Sequence, residues 1–226
     1  METLNLRVSE IFTSIDGEGL HAGGFSTFIR LFGCNLRCSY CDSRYACEGE
    51  DFRVMTVSAV LCAVFKSGIP HVTITGGEPL LQAAPVASLV RSLSEGGVSV
   101  CIETNGCVPI PGELLASDAS LCMDVKSPSS GEFSRNILGN LSLLRPCDCL
   151  KLVLSDEDSA WAQSFLKTLR VSCPVYLSPV AGSCEPRKLV ELAKSILPAI
   201  PQELAKGLRI QVQLHKILWP SVERGV

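Results

Sequence analysis

The chain has 226 residues, 46% of them hydrophobic, with a formal charge of −3 and twelve cysteines. That length supports one domain with a sizeable core, and the lack of a basic cluster argues against a nucleic-acid-binding face. No stretch approaches the roughly 20 apolar residues of a membrane span, and the first ten residues lack the apolar run of a signal peptide, so the expected location is the cytoplasm.

In chain order, apolar runs predict strands at 25–31, 71–75, 98–103, 121–126, 149–154, 174–177 and 208–214. Helical spacing predicts helices over 56–67, 83–94, 156–169 and 186–197, with Thr56, Ser155 and Asp156 as N-caps and Gly68, Gly96 and Gly97 as stops. The stretches 105–119 and 127–146 carry weaker patterns. Apolar strands alternating with helices predict a parallel sheet covered by helices. Six or so such units are too few to close an eight-stranded barrel, so the expected fold is a partial (β/α)6-type, TIM-like barrel forming one domain over 1–226. An N-terminal stretch at 10–30 and a C-terminal tail at 208–226 are expected to close its site.

Polar residues gather where the predicted strands end: Thr75, Glu103, Asp124, Lys126, Lys151 and Ser178, with Gln213 and His215 beyond the last. Chemistry in parallel barrels sits at the C-terminal strand ends. Period-2 alternation puts Asp124 with Lys126, and Phe28 with Arg30, on one face. Collectively these side chains describe a lined pocket.

Directly after the first predicted parallel strand comes Cys34-Asn35-Leu36-Arg37-Cys38-Ser39-Tyr40-Cys41. Three thiolates this close suit an iron–sulfur cluster better than a hard cation. Clusters and structural zinc sites ordinarily use four protein ligands, so three leave one metal position open. Cys47, six residues on, is an available fourth ligand and keeps a zinc knuckle in play; a disulfide framework would need an oxidising compartment. Cys62, Cys101, Cys122 and Cys149 lie in apolar segments and are expected in the core.

The spacing of Cys34, Cys38 and Cys41, with Tyr40 before the last, resembles the signature of the radical S-adenosylmethionine (SAM) superfamily. Thr75-Gly76-Gly77-Glu78-Pro79 looks like that superfamily's "GGE" turn. The resemblance implies a [4Fe-4S] cluster on the three cysteines and SAM chelating the fourth iron. Reductive cleavage of SAM then gives a 5′-deoxyadenosyl radical. Further blocks narrow the likeness: the stretches 10–19, 28–38 and 123–131, the tail 211–220 and the ending 224–226 are similar to the 7-carboxy-7-deazaguanine synthase family. Family membership implies conversion of 6-carboxy-5,6,7,8-tetrahydropterin to 7-carboxy-7-deazaguanine with loss of ammonia, on the route to queuosine and other 7-deazapurines. Hydrogen is taken from C6 of the pterin, and SAM is regenerated.

Carried onto this sequence, the resemblance gives Cys34, Cys38 and Cys41 the cluster. Tyr40, Cys41, Asp42, Gly77, Asp124, Val125 and Lys126 would meet SAM, and Ser43 would hold Mg²⁺. Ile15, Asp16, Gly17, Arg30, Thr75 and Pro220 would contact the pterin, Arg30 through its carboxylate. It also implies a flavodoxin or ferredoxin donor and a homodimer. Two positions depart from the family, which usually has Gln at Asp16 and Thr at Ser43. An activating enzyme for a glycyl radical protein shares the cluster loop and the GGE turn, and an iron–sulfur electron carrier or zinc module would use four ligands and no pocket. Both stay open at this level.

Overall fold

A computed structural model describes residues 4–226; Met1, Glu2 and Thr3, where the stretch read as lacking a signal peptide begins, lie outside the described residues. Strand β1 (Asn5–Ile15) leads into β2 (Phe25–Leu31) and β3 (Arg53–Thr56). Alternation then begins with α1 (Val57–Ser67), β4 (His71–Gly76), α2 (Ala83–Glu95) and β5 (Ser99–Thr104). It continues through α3 (Gly112–Leu115), β6 (Ser120–Asp124), β7 (Cys149–Leu154), α4 (Ser159–Thr168) and β8 (Val175–Pro179). Helices α5 (Pro186–Ile196) and α6 (Gln202–Gly207), strand β9 (Leu208–Ile210) and helix α7 (Leu214–Leu218) complete it.

Among the described residues nine strands form one sheet in the order β3-β1-β2-β4-β5-β6-β7-β8-β9. From β2 onward each neighbouring pair is parallel, whereas β1 runs antiparallel to both β2 and β3. The two edges, β3 and β9, do not pair, so the barrel is open, as the sequence predicts. No helix among the described residues is long and apolar enough to cross a membrane.

Alternation along the strands explains both the core and the site. Ile29, Leu31, Val72, Ile74, Val100 and Ile102 face the helices and are buried in the main core, as are Leu121, Met123, Leu150, Leu152, Val175 and Leu177. Their odd-and-even partners face the barrel interior. Low in that interior, Cys101, Cys122 and Cys149 pack together with Leu20 and Tyr176. One layer higher stand Thr75, Glu103, Asp124, Lys151 and Ser178. The outer helices match this with apolar stripes at i, i+3 and i+4 spacing, Val57, Val60 and Val64 on α1 and Leu189, Leu192, Ala193 and Ile196 on α5. Thr56 caps α1 by accepting from Ala59 N at 3.1 Å, and Gly68 ends it at φ 70°.

Three expectations are corrected. Cys62 is exposed, because α1 turns it away from the Val57–Val60–Val64 stripe. The expected strand 208–214 stops at Ile210, since Gln211 spends its side chain on the Gly19 amide (2.8 Å) and the chain turns into α7. Strands β1 and β3 were not expected at all. In β1 the buried Leu6 and Val8 alternate with exposed residues, but a bulge between Val8 and Glu10 breaks the period.

Below the barrel, Asp148 is fully buried and accepts from the amides of Leu121 (2.8 Å) and Arg145 (2.7 Å) and from the Arg145 guanidinium at 2.8 and 3.0 Å. The same guanidinium donates to the carbonyls of Leu115 and Ser117, tying α3 to the start of β6 and β7. Asp148→Ala strands these donors and is expected to cost about 3 kcal/mol, the scale for breaking a buried pair. Urea unfolding would show a lowered midpoint with an unchanged slope.

Candidate active site

A cavity of about 510 Å³ opens at the C-terminal ends of the parallel strands. Cys34, Cys38 and Cys41 line it together with Tyr40, Asp42 and Ser43. Across from them, Ile15, Asp16 and Gly17 enter from the loop after β1, and Arg30, Thr75 and Gly77 from β2 and the end of β4. Asp124 and Lys126 complete the set from β6. Two expected residues lie elsewhere. Val125 points the other way by strand alternation and is buried in the hydrophobic core, and Pro220 is exposed beyond α7, outside the cavity lining. Neither side chain meets the cavity; Gln213, His215, Lys216, Val222, Glu223 and Val226 form the tail's share of the wall.

The cysteine loop is suspended from the sheet by backbone. Gly33 N donates to Ala46 O at 2.8 Å, Gly77 N to Leu31 O at 2.9 Å and Glu78 N to Gly33 O at 2.8 Å. A Cβ on Gly76 would lie 2.1 Å from Leu31 O, and one on Gly77 2.2 Å from Gly33 O, so both glycines are set by close backbone approach. Glu78 is fully buried and braces the turn: its carboxylate accepts from Leu80 N (2.8 Å), Thr104 Oγ1 (2.9 Å) and Asn105 N (2.7 Å). Burial nevertheless pushes its carboxyl up to about 7. Asn105 in turn donates to Asn35 Oδ1 at 2.8 Å, which fixes the first turn of the loop. The acidic member of the GGE turn is therefore a structural brace.

Cys47 lies against the triplet, its Sγ 3.9 Å from that of Cys41, and donates to Ser43 O at 3.5 Å. Its thiol draws Cys34 and Cys41 down to about 6, while burial pushes Cys38 up. Among the described residues no three His, Cys, Asp or Glu side chains close on a single ion. A structural zinc site needs four ligands at about 2.0–2.3 Å from one ion, whereas the irons of a cluster each take one thiolate. Three soft donors along one cavity wall fit the cluster.

Arg30 stands opposite Glu10 in the β1–β2 register and gives its Nε to Glu10 Oε1 at 2.7 Å. Tyr45 OH donates to the same oxygen at 2.7 Å. The guanidinium lies 5.7 and 5.9 Å from the ring centroids of Phe12 and Tyr45, so stacking and one ion pair hold it. Among the described residues its two terminal nitrogens make no hydrogen bond and remain able to fork onto an anion.

Asp16 turns its carboxylate down the barrel, where it accepts from Thr73 Oγ1 at 2.8 Å and lies 3.7 Å from His71 Nε2. The charge introduced at this position is thus taken up by β4. Thr75 donates to Glu103 at 2.6 Å. Lys126 pairs with Asp124 at 2.5 Å, and Lys151 bridges Glu18 (2.9 Å) and Asp124 (3.5 Å). From the tail, His215 and Lys216 reach Asp42 at 3.7 and 3.3 Å. Although burial opposes ionisation, these two hold the Asp42 carboxyl well below its usual range. Ser43 Oγ donates to Asp42 Oδ1 at 3.3 Å and lines the cavity. Sequence reasoning gave no role to Glu10, Glu18 or Tyr45. A Glu facing Arg30 becomes visible only once β1 is paired antiparallel to β2.

The model of the Radical SAM superfamily matches residues 28–129. A crystal structure of QueE from Escherichia coli superimposes with a TM-score of 0.67 at 19% identity, over 92% of this chain and 94% of that one. Streptococcus suis SuiB bound to S-adenosylmethionine gives 0.56 at 16%, over 80% of this chain and 48% of that one; both establish the fold. The 7-carboxy-7-deazaguanine synthase of Methanospirillum hungatei is 41% identical over 96% of this chain and 87% of its own length. That of Clostridium acetobutylicum is 36% identical over 99% and 100%. At that identity, across nearly the whole of both chains, this chain belongs to the 7-carboxy-7-deazaguanine synthase family.

Proposed function

We propose that this chain is a radical SAM lyase that converts 6-carboxy-5,6,7,8-tetrahydropterin to 7-carboxy-7-deazaguanine with release of ammonia. The observation that carries the reading is one cavity shared by the three cysteine thiols and the Arg30 fork. When bound, the cluster and SAM supply the 5′-deoxyadenosyl radical. Cys34, Cys38 and Cys41 hold the cluster, while Asp124, Lys126, Gly77 and the backbone of 40–42 seat SAM. Arg30 takes the substrate carboxylate through its free nitrogens, and backbone of Ile15, Asp16 and Gly17 takes the ring edge. Thr75, oriented by Glu103, faces the same ligand. Ser43 would offer a hard oxygen of the kind Mg²⁺ accepts. The apolar strands and the tail exclude water from the radical.

The deciding experiment is anaerobic reconstitution followed by incubation with SAM, dithionite, Mg²⁺ and the pterin, with mass spectrometry for 7-carboxy-7-deazaguanine. Formation of 5′-deoxyadenosine without that product would leave the radical machinery standing and reject the substrate. A flavodoxin or ferredoxin donor, a homodimer and a cytoplasmic location belong to the same proposal. Arg30→Lys keeps charge but loses the fork. It is expected to raise KM for the pterin roughly 10- to 100-fold, the worth of a charge-assisted contact, with a smaller change in kcat under steady-state assay.

A further inference from the structure

Under the cavity lies a charged ladder that crosses between elements. Lys151 rises from β7 into the barrel and is almost fully buried. Its ammonium is 2.9 Å from Glu18 Oε2, on the loop that follows β1, and 3.5 Å from Asp124 Oδ1, at the end of β6. The other oxygen of each carboxylate is also occupied: Ser178 donates to Glu18 Oε1 at 2.8 Å, and Lys126 holds Asp124 Oδ2 at 2.5 Å. Glu103 stands beside them on β5, its carboxylate accepting from Thr75 Oγ1 at 2.6 Å. Two largely enclosed carboxylates, Glu18 and Asp124, therefore meet two ammoniums, and Lys151 is the one shared between loop and strand.

We propose that Lys151 is a positioning residue whose ammonium, held between Glu18 and Asp124, sets the substrate loop at 15–19 in register with the SAM-binding strand end at 124–126. The inference rests on the reaction proposed above. Hydrogen abstraction requires the reacting atoms of substrate and SAM within about 3–3.5 Å in a fixed orientation. A loop whose contacts to substrate are made by backbone is only as well placed as its anchors. Gly19 N and Gly17 O are tied to the tail, at Gln211 Oε1 and Leu214 N, which fixes the loop against the lid side. The Lys151 ladder fixes it against the SAM side. Its geometry is specific: a neutral side chain of the same length would leave Glu18 and Asp124 buried without a shared counter-charge, so the loop and the strand would move apart.

Three variants of the cluster-loaded protein test this: Lys151→Met, Glu18→Gln and Lys151→Arg. Hydrogen exchange at the amides of 16–24 is measured without substrate, and turnover is measured with SAM, dithionite and the pterin. For Lys151→Met and Glu18→Gln the expected result is exchange in that loop at least about 10-fold faster than wild type, the effect of losing one charge-assisted tie, with exchange in α4 unaltered. In turnover, KM for the pterin rises and the 5′-deoxyadenosine released per product increases by a similar factor, because cleavage continues with substrate misplaced. Lys151→Arg, which keeps the charge, recovers most of the loop protection. A residue that only stabilised the barrel would lower the yield of holoenzyme while leaving loop exchange, KM and the ratio per cluster unchanged. That outcome in both charge-removing variants overturns the proposal. If wild-type protein makes no 7-carboxy-7-deazaguanine, the reaction assigned above is wrong, and the exchange measurement still decides whether Lys151 sets the loop.

Discussion

Alanine at Cys34, Cys38 or Cys41 is expected to abolish 5′-deoxyadenosine formation, whereas Cys47→Ala keeps the iron and a measurable activity. Loss of an outer partner of a metal site costs roughly 10- to 100-fold; loss of a direct ligand from a site that has only three removes more. The three thiols line the cavity on a loop pinned by Gly33, Gly77 and Glu78, so no other side chain can swing in without breaking those bonds. Cys47 is the nearest substitute, with its Sγ 3.9 Å from that of Cys41. It is also engaged with Ser43 O and has its thiol pushed up, first by the contact with Cys34. Iron content and the visible spectrum of each reconstituted variant, alongside SAM cleavage, check this. Retention of iron in Cys41→Ala together with its loss in Cys47→Ala would exchange the roles of the two residues.

The second large effect is steric. Gly76→Ala places a Cβ 2.1 Å from Leu31 O at a φ of 135°, and Gly77→Ala places one 2.2 Å from Gly33 O. Both obstacles are backbone, so no rotamer relieves them. Relief requires parting β2 from β4 at the strand ends that carry the cysteine loop. Substitutions of this kind fall in the class costing about 4–5 kcal/mol or more, a large part of the 5–15 kcal/mol that holds a typical domain together. Thermal unfolding is expected to show a strongly lowered Tm for both. Any protein recovered should take up less iron than wild type, because the turn and the cysteine loop share hydrogen bonds. Gly23→Ala, where a Cβ meets nothing within 4 Å but φ is also positive, separates backbone strain from collision; it should cost only about 1 kcal/mol.

The parallel half of the fold was legible because each βα unit carries its own local signal. Helix α1 has Thr56 before it and Gly68 after it, and β5 and β7 are bounded apolar runs. The antiparallel additions were not legible, since β1 is bulged and β3 is four residues long with two exposed positions. Motif spacing found the thiols, the GGE turn and Arg30. It did not find what holds them. Glu10, Glu18 and Tyr45 act through partners 20 to 160 residues away in sequence, and only strand register brings them together. Asp16 stood out only as a departure from the family's Gln, and the partners of its carboxylate, Thr73 and His71, come from the inward alternation of β4.

The tail's place in the cavity wall also dates the site during synthesis. Gln211 closes on Gly19 across 192 residues of chain, and at 5–20 residues per second that interval takes about 10 to 40 s on the ribosome. For most of it β1, β2 and the cysteine loop exist without the segment that later covers them. The thiols are therefore most open to a cluster carrier while the chain is still being made, and the carrier's access narrows once α7 arrives.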